Sequence, residues 1–446
     1  MTETRPVPAP GIIVVLAALT TGCWRWRIEL GLAAVVVVPG AVVVIKVGPA
    51  LGAVLGVATL GALVGIPGFR RRVGKALFVA RHRRRFDMAV TRLSDRVLVE
   101  RPPAVTGVER TRAGIRLTLS MRPGTHVGDL ERALPALASS LRVRDLRVAR
   151  DRIDASVVRL SVISEDPLAE VALSWPGIGM ARTDAWSPVP VGINEDGGPV
   201  LLTLAEHNVL LGGETGAGKS GALAVLTATA AMDPSTVLWL LDAKLVELAA
   251  WQGCARRFVG PDLEEAISVL EELRDDMTAR YELLVTMRKR KLDRTDGYPM
   301  HVVVIDELVR YVAHPNKKLA ARFTETLRDL VARGRAAGIV VLAATQKPSV
   351  DMIPSALRDL FGYRWAMRCA TRDASDTVLG AGWASNGYSA ADIDPGTRGV
   401  GLLLHEGGLP VHLRSYWLDD DTIHAIAARA EALRRGEAPD TLGMAS

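Results

Sequence analysis

Cysteine is nearly missing from this sequence. The three present, Cys23, Cys254 and Cys369, are far apart, and their number is odd. That excludes a disulfide scaffold and, with no Cys/His cluster at metal-ligand spacing, a structural zinc site. It fits a reducing compartment for most of the chain. An acidic surplus is missing too: 49 Asp and Glu stand against 55 Lys and Arg, giving a net charge of +6. Such a balance suits a phosphate-rich partner, although a composition rich in Ala, Arg, Gly and Val supplies part of it.

Charge is missing altogether from residues 30–45 and 47–69. The chain as a whole is 49% hydrophobic, and the apolar excess is concentrated in residues 11–69. A helix needs about 20 apolar residues to cross a bilayer core. The second run meets that length, and the first nearly does with snorkelling flanks. Together they predict a transmembrane helical hairpin. Trp24, Arg25, Trp26 and Arg27 form an interfacial cluster before it. Arg70, Arg71, Arg72, Lys75, Arg81, Arg83, Arg84 and Arg85 follow it. Positive charge marks the cytoplasmic side, so both ends are expected inside. The shorter run 11–24 is either a third span or an interfacial segment. A cleaved signal ending near Cys23 fits poorly: Thr20 stands three residues before it, and the residues preceding the apolar run are only weakly basic.

With 446 residues the chain has room for two or three domains. Residues 114–121 alternate like a strand, Pro123-Gly124 reads as a turn, and 126–141 carries helical spacing, interrupted by Pro135. Strand-like runs follow at 145–148 and 155–163. The order is β-α-β-β, a small α+β domain. The Pro- and Gly-containing stretch after it reads as a linker.

The chemistry begins at Val209-Leu210-Leu211, a buried strand. It runs directly into Gly213-Glu214-Thr215-Gly216-Ala217-Gly218-Lys219-Ser220 and then a helical run, 221–232. This is G-x-x-x-x-G-K-S in its strand–loop–helix context. Glycines let successive backbone N–H groups turn inward as an anion nest, and the helix N-terminus adds its positive dipole end. Lys219 is expected on the β- and γ-phosphates of ATP, and the Ser220 hydroxyl on Mg²⁺.

A second apolar strand, 301–305, ends in Asp306-Glu307. Carboxylates at the carboxyl end of a parallel strand sit where such sheets present ligands. Asp306 is expected to hold the Mg²⁺ through water, and Glu307 to orient and polarise the attacking water. A third strand, 339–343, ends at Thr345-Gln346. Gln346 is the better candidate for touching the γ-phosphate or lytic water, with Thr345 second. Strands at 237–241, 363–369 and 399–404 complete an α/β fold with a parallel, doubly wound sheet.

The detail beyond the phosphate loop resembles the FtsK/SpoIIIE family of DNA-pumping ATPases. Asp242-Ala243-Lys244-Leu245-Val246-Glu247-Leu248 is similar to that family's D-P-K-x-x-E-L segment, with Ala243 in place of proline. Met277-Thr278-Ala279-Arg280-Tyr281 resembles its M-x-x-R-Y helix. The runs from Arg335 to Ile339 and from Leu342 to Val350 resemble R-A-A-G-I…L-A-T-Q-R-P-S-V, with Lys347 where arginine is usual.

The resemblance covers roughly residues 189–417. It implies a RecA-like P-loop ATPase assembling as a homo-hexamer around double-stranded DNA. It also implies an arginine acting in trans, with Arg364 the first candidate and Arg333 and Arg335 behind it. About thirty residues follow Trp417, so the winged-helix reader of the chromosome-segregating members is not expected. That pattern looks most like the transfer proteins of actinobacterial conjugative plasmids and integrating elements.

The expected parts are an anchor with its basic segment (1–85), the small α+β domain (86–165), a linker (166–190), the motor (191–418), and a C-terminal helix and tail (419–446). The expected protein is a multi-pass cell-membrane DNA translocase with its ATPase domain in the cytoplasm, serving conjugative DNA transfer. The rivals are a type VII-like secretion motor, disfavoured by the single phosphate loop, a chromosome-segregation translocase, and a scaffold whose nucleotide site only regulates assembly. For DNA contact, Arg288-Lys289-Arg290-Lys291 with Arg294 is a candidate pore-lining run, equally readable as a solvated basic turn.

Overall fold

The computed structural model describes residues 67–436, apart from 94–95, 112, 152, 170–172, 347 and 349–351. The expected hairpin, 30–45 and 47–69, lies almost wholly outside the described residues, as does the run 11–24. Among the described residues no helix is long and apolar enough to cross a membrane. The chain divides into two compact units, Met1–Glu165 and Asp166–Ser446.

The first unit opens with helix α1 (Pro67–Val90), which carries the basic run. Its last turns bury Phe86, Ala89 and Val90 in the unit's core, so the basic segment and the small domain share one continuous helix. Arg110 lies over the Phe78 ring, 4.6 Å from its centroid. After α2 (Arg96–Glu100) come β1 (Ala104–Thr111), β2 (Gly114–Ser120), α3 (Val127–Leu141), β3 (Asp145–Arg150) and β4 (Val157–Ile163). They form an antiparallel sheet of order β1-β2-β4-β3.

The β-α-β-β expectation therefore lacked a first strand. β1 reads Ala-Val-Thr-Gly-Val-Glu-Arg-Thr, with one buried residue, and offers no clean alternation. Helix α3 runs straight through Pro135. His126 and Asp129 cap its start reciprocally, and Leu130 and Leu137 are fully buried against Leu117, Leu119 and Leu160.

The second unit is built on one ten-stranded sheet. In chain order its elements are β5 (Val189–Asn194), β6 (Pro199–Leu202), β7 (Val209–Gly212), α4 (Lys219–Ala231), β8 (Thr236–Asp242), β9 (Ala255–Val259) and α5 (Leu263–Met287). Then follow β10 (Met300–Asp306), α6 (Val309–Val312), α7 (Lys317–Arg333), β11 (Ile339–Thr345), α8 (Ser355–Arg358), β12 (Tyr363–Met367), α9 (Arg372–Leu379), β13 (Val400–His405), β14 (Val411–Ser415) and α10 (Asp420–Arg434). The order across the sheet is β6-β5-β14-β13-β12-β7-β11-β10-β8-β9.

Only β12 through β9 in that order pair in parallel; β13, β14, β5 and β6 extend the sheet antiparallel. The expected parallel sheet is thus one part of a mixed sheet. β13 and β14 are joined by a short turn through Gly407 and Gly408, which allows only antiparallel pairing. The central strands β7, β10 and β11 are buried at every residue, because helices cover both faces. Two apolar clusters separate on alternate residues of the strands. Val302, Val304, Leu342 and α4 belong to one, and Val303, Ile305, Val341, α5 and α7 to the other.

Much of residues 166–190, expected as a linker, packs into the first of these clusters. Leu168, Leu173, Trp175, Ala185 and Val189 are all buried there. Asp233 accepts from the Ala185 N–H at 2.8 Å, and Thr183 Oγ1 donates to Thr229 O at 2.6 Å. Proline and glycine here shape short helical turns at Pro167–Ala169 and Pro176–Gly179 rather than a free connection.

Candidate functional site

The site grows from the carboxyl ends of adjacent parallel strands. β7 ends at Gly212, and the loop Gly213–Ser220 turns into α4. Gly213 has φ +152°, and a Cβ there would sit 2.7 Å from Met367 Cβ. Gly218, the residue before α4, has φ +107°, and a Cβ would meet the Gly399 backbone nitrogen at 2.5 Å. Both conformations favour glycine, and both bring backbone against backbone. The segment on which the loop rests is fixed by Gly399 N–H donating to Ala217 O at 2.9 Å.

Lys219 is buried and folds onto its own loop. Its Nζ donates to Gly213 O at 2.6 Å and to Glu214 O at 2.8 Å. Burial pulls its pKa down to about 8, with the nearby Glu307 carboxylate acting in the opposite direction. Glu214 pairs with Arg368 at 2.7 Å, and its N–H donates to Arg368 O. Thr215 Oγ1 donates to Gln346 Oε1 at 3.0 Å, so the end of β11 is joined to the loop.

Asp306 and Glu307 stand at the end of β10. Asp306 lies directly beside Asp242 on β8 in the parallel register. Burial raises the Asp306 carboxyl to about 6, against the pull of Lys244. Its Oδ2 is buried and accepts no hydrogen bond, although Lys244 Nζ lies 3.4 Å away. Glu307 has φ +58°, a left-handed backbone in a side-chain-bearing residue. Such strain costs about 1–3 kcal/mol and persists where the surroundings hold it. Here Leu308 N–H donates to Ala344 O at 2.8 Å, locking the turn. The result aims Glu307 Oε1 at the end of β11, where it accepts from Thr345 Oγ1 at 3.2 Å and Gln346 N–H at 3.0 Å.

The segment after β8 delivers Lys244. Asp242 is fully buried, and its carboxylate accepts N–H groups from Lys244, Leu245 and Leu248 at 2.8–3.0 Å. It is thus the anchor of a tight loop, and Lys244 projects from that loop onto Asp306 and Glu307, at 3.4 and 3.9 Å. The sequence marked this segment by resemblance but assigned Lys244 no role. Its placement requires knowing that β8 and β10 are neighbours.

Beside these groups lies a cavity of about 440 Å³, whose walls include Thr215, Lys219, Ser220, Glu247, Gln346 and Arg398. Lys219, Ser220, Thr215, Gly216, Gly218 and Gln346 thus line one cavity. Glu247 and Arg398 were not singled out for this site. Arg398 sits in an irregular loop 178 residues beyond Ser220 (398 minus 220), and no local signal ties the two together.

The remaining candidates are held elsewhere. Arg364 is the second residue of β12, opposite Leu210 of β7. Its guanidinium donates to Phe361 O and Leu379 O and faces Asp359 at 3.4 Å. Arg333 forms a two-point pair with Asp329, and Arg335 pairs with Glu406. In the basic run, Lys289 pairs with Asp293 and Asp296, Lys291 with Glu206, and Arg294 with Asp184. Local carboxylates thus offset much of its charge.

The donor set fits a hard divalent cation. Asp306 offers a buried carboxylate oxygen 3.4 Å from Lys244 Nζ, and the exposed Ser220 hydroxyl lines the cavity beside Lys219. All-oxygen ligands with few protein contacts are the usual environment of Mg²⁺. Among the described residues there is no His/Cys/Asp/Glu cluster of the kind that encloses a structural metal.

Comparison with known proteins agrees with this geometry. Residues 178–381 match the FtsK/SpoIIIE family. The chain is 27% identical over 371 residues to the DNA translocase FtsK of Pseudomonas aeruginosa, covering 73% of this chain and 43% of that protein. It is 26% identical over 338 residues to the DNA translocase SftA of Bacillus subtilis, covering 71% and 34%. The chain therefore spans less than half the length of these relatives.

Among solved structures, the pCW3 conjugation coupling protein TcpA, in monomer form with ATPγS, superposes with a TM-score of 0.53 at 20% identity. The match covers 79% of this chain and 99% of TcpA. EssC (ATPases 2 and 3) from Geobacillus thermodenitrificans superposes with a TM-score of 0.50 at 16% identity, covering 62% and 55%. These two likenesses are of fold. The strand order, the phosphate loop and the family match together identify residues 178–381 as an FtsK/SpoIIIE-family domain, built on the fold of a P-loop ATPase.

Proposed function

We propose that this chain is a membrane-anchored translocase that couples Mg-ATP hydrolysis to movement of double-stranded DNA, in the service of conjugative transfer. The observation that carries the ATPase reading is the convergence of Lys219, Asp306, Glu307 and Gln346 from three strands far apart in sequence: Lys219 and Gln346 line one cavity, Glu307 accepts from Gln346 N–H, and the charges of Asp306 and Glu307 both act on Lys219. The run β12-β7-β11-β10-β8, with the phosphate loop after β7, supports a RecA-like motor.

In this reading ATP supplies the transferable phosphoryl group, and Mg²⁺ neutralises the charge that develops on it. The chain's own residues do the rest. The N–H groups of Gly213–Ser220 cradle the phosphates, and Lys219 leaves its two carbonyl partners for phosphate oxygens. Ser220 and Asp306 would hold the cation. Glu307 orients the attacking water through Oε2, which Gln346 N–H reaches at 3.3 Å, while Oε1 stays on the same N–H at 3.0 Å and on Thr345 Oγ1. Arg364 is our candidate for a group acting across a hexameric ring's subunit boundary. That role requires it to leave Leu379 O and Phe361 O.

DNA enters this reading through the FtsK and SftA relatives, and conjugation through the TcpA neighbour. The charge-free runs 30–45 and 47–69 support the anchor, with the basic helix α1 and the ATPase domain in the cytoplasm. The test is Mg-ATP hydrolysis by the detergent-solubilised full chain, with and without linear double-stranded DNA. Hydrolysis rising several-fold with DNA is the expected outcome. Hydrolysis indifferent to DNA would overturn the translocase reading, and no hydrolysis at all would overturn the ATPase reading.

A further inference from the structure

We infer that Trp417 is the platform on which the base of the bound nucleoside triphosphate stacks. This rests on the nucleotide reading of the cavity and adds which wall receives the base. Trp417 is 49% exposed, although it is surrounded by a well-packed domain. It follows β14 and is held by its backbone: Trp417 N–H donates to Leu173 O at 2.8 Å, and Ser174 and Trp417 form a short parallel bridge. Its indole lies along the start of α4 and lines the cavity that contains Lys219 and Ser220.

The neighbouring glycine fits this placement. A Cβ on Gly221 would stand 2.9 Å from Trp417 Cε3, inside the ring's contact distance. Glycine inside a helix costs roughly 1 kcal/mol relative to alanine. Here it admits an aromatic face directly beside the phosphate loop. Gly221 is also the residue after Ser220, so the ring begins where the loop ends.

Polarity along the cavity decides which end takes the base. Glu307 and Asp306 mark the terminal-phosphate end, since Lys219 serves the β- and γ-phosphates of a loop of this kind. The α-phosphate and the nucleoside must then extend away from them, past Ser220 and Gly221. The wall on that side is Leu173 and Trp417, with Arg398 also on the cavity. An apolar residue and a half-exposed indole offer a flat π-face, and every base presents one in return. The ring is half-exposed and forms part of the wall of this cavity.

The test compares ATP with inorganic tripolyphosphate, which has the phosphates and no base, in the full-length protein. In Trp417→Ala, ATP is expected to bind about 10-fold more weakly, the scale of losing one base–aromatic stack, while tripolyphosphate binding stays unchanged. Trp417→Phe is expected to keep ATP affinity. It should also lose the tryptophan-fluorescence quench that ATP, but not tripolyphosphate, causes in the wild type; this arm stands even if the alanine variant fails to fold. Unchanged ATP affinity in Trp417→Ala, parallel weakening of both ligands, or an undiminished quench in Trp417→Phe would overturn the inference. Wild type binding neither ligand would overturn the nucleotide reading itself, and this inference with it.

Discussion

The two ends of strand β10 carry buried ionisable groups in opposite circumstances. At the amino end His301 lies beside Trp239 Nε1 at 3.2 Å and the Arg280 guanidinium at 2.6 Å. Arg280 is itself spent on Pro299 O and Ala337 O, both at 2.9 Å. A neutral imidazole has one acceptor nitrogen, so the ring takes one of its two donors, and its neutrality is enforced. Burial, with Arg280 and Arg256 adding to it, lowers His301 to about 3. At the carboxyl end the groups are wound the other way. Asp306 is raised to about 6 with Lys244 Nζ 3.4 Å from its buried Oδ2, Lys219 is drawn down to about 8, and Glu307 sits in a strained backbone. At the amino end the polar groups face one another, Arg280 also pairing with Asp276 at 2.6 Å. The other end holds polar groups ready for something not part of the chain. Buried groups are normally satisfied, so an exception among ionisable neighbours with shifted pKa values is a candidate ligand site.

The sharpest way to break this comparison is at the carboxyl end. Glu307→Gln should bind ATP with near-normal affinity and hydrolyse it at least about 100-fold more slowly, because the amide keeps the Gln346 contact but no longer polarises water. Lys219→Ala should lose both. Equilibrium binding and single-turnover hydrolysis separate the two. Equal loss of affinity in the glutamine variant would show that Glu307 serves binding.

A smaller effect is expected from Asp306→Asn. Its folded pKa lies above the unfolded value of 3.8, so the folded state holds a proton that the unfolded chain has released between pH 3.8 and about 6. Stability is therefore lost as pH rises through that window, and at neutral pH the ionised carboxylate carries the cost. Removing the charge should raise stability in chelator-treated buffer at pH 7.5 by on the order of 1–3 kcal/mol, while abolishing Mg-dependent hydrolysis. Thermal melts of the two proteins at that pH check this. A lower melting temperature in the asparagine variant would mean that Lys244 already compensates the carboxylate.

The amino end predicts the reverse sign and the smallest change. His301 stays neutral down to about pH 3, whereas the unfolded chain takes a proton near 6.5. Stability is lost as pH falls below 6.5, by at most about 1.4 kcal/mol per pH unit from this residue. His301→Asn should start less stable at pH 7.5 and decline less steeply between pH 6.5 and 5. Parallel melting curves for wild type and variant across that range would remove His301 from the acid response.

How much of this was legible before folding differs by element. The phosphate loop needed no tertiary information, because its chemistry requires contiguous residues, and Gly213 to Ser220 supply them in order. Asp306-Glu307 and Thr345-Gln346 were readable for a related reason: each ends a strongly apolar strand, and parallel strands present their carboxyl ends to ligands. β1 was not readable, since its single buried residue leaves no period. Residues 166–190 looked like a linker because proline and glycine mark both free chain and tight packed turns. The antiparallel half of the sheet was missed because local sequence carries the length of a strand and not its neighbours.

Composition and order alone therefore determined a basic chain with apolar runs near its start, one phosphate loop, and acidic and polar strand ends in the right succession. Only the tertiary structure decided that Asp242 lies beside Asp306, which brings Lys244 to the carboxylates. It alone brought Arg398 and Trp417 to a cavity that begins at Ser220. The physical reason is that hydrogen bonding within a loop or helix is fixed by residues a few places apart. Strand order and cavity walls are fixed by which apolar faces bury one another, across separations that no local pattern records.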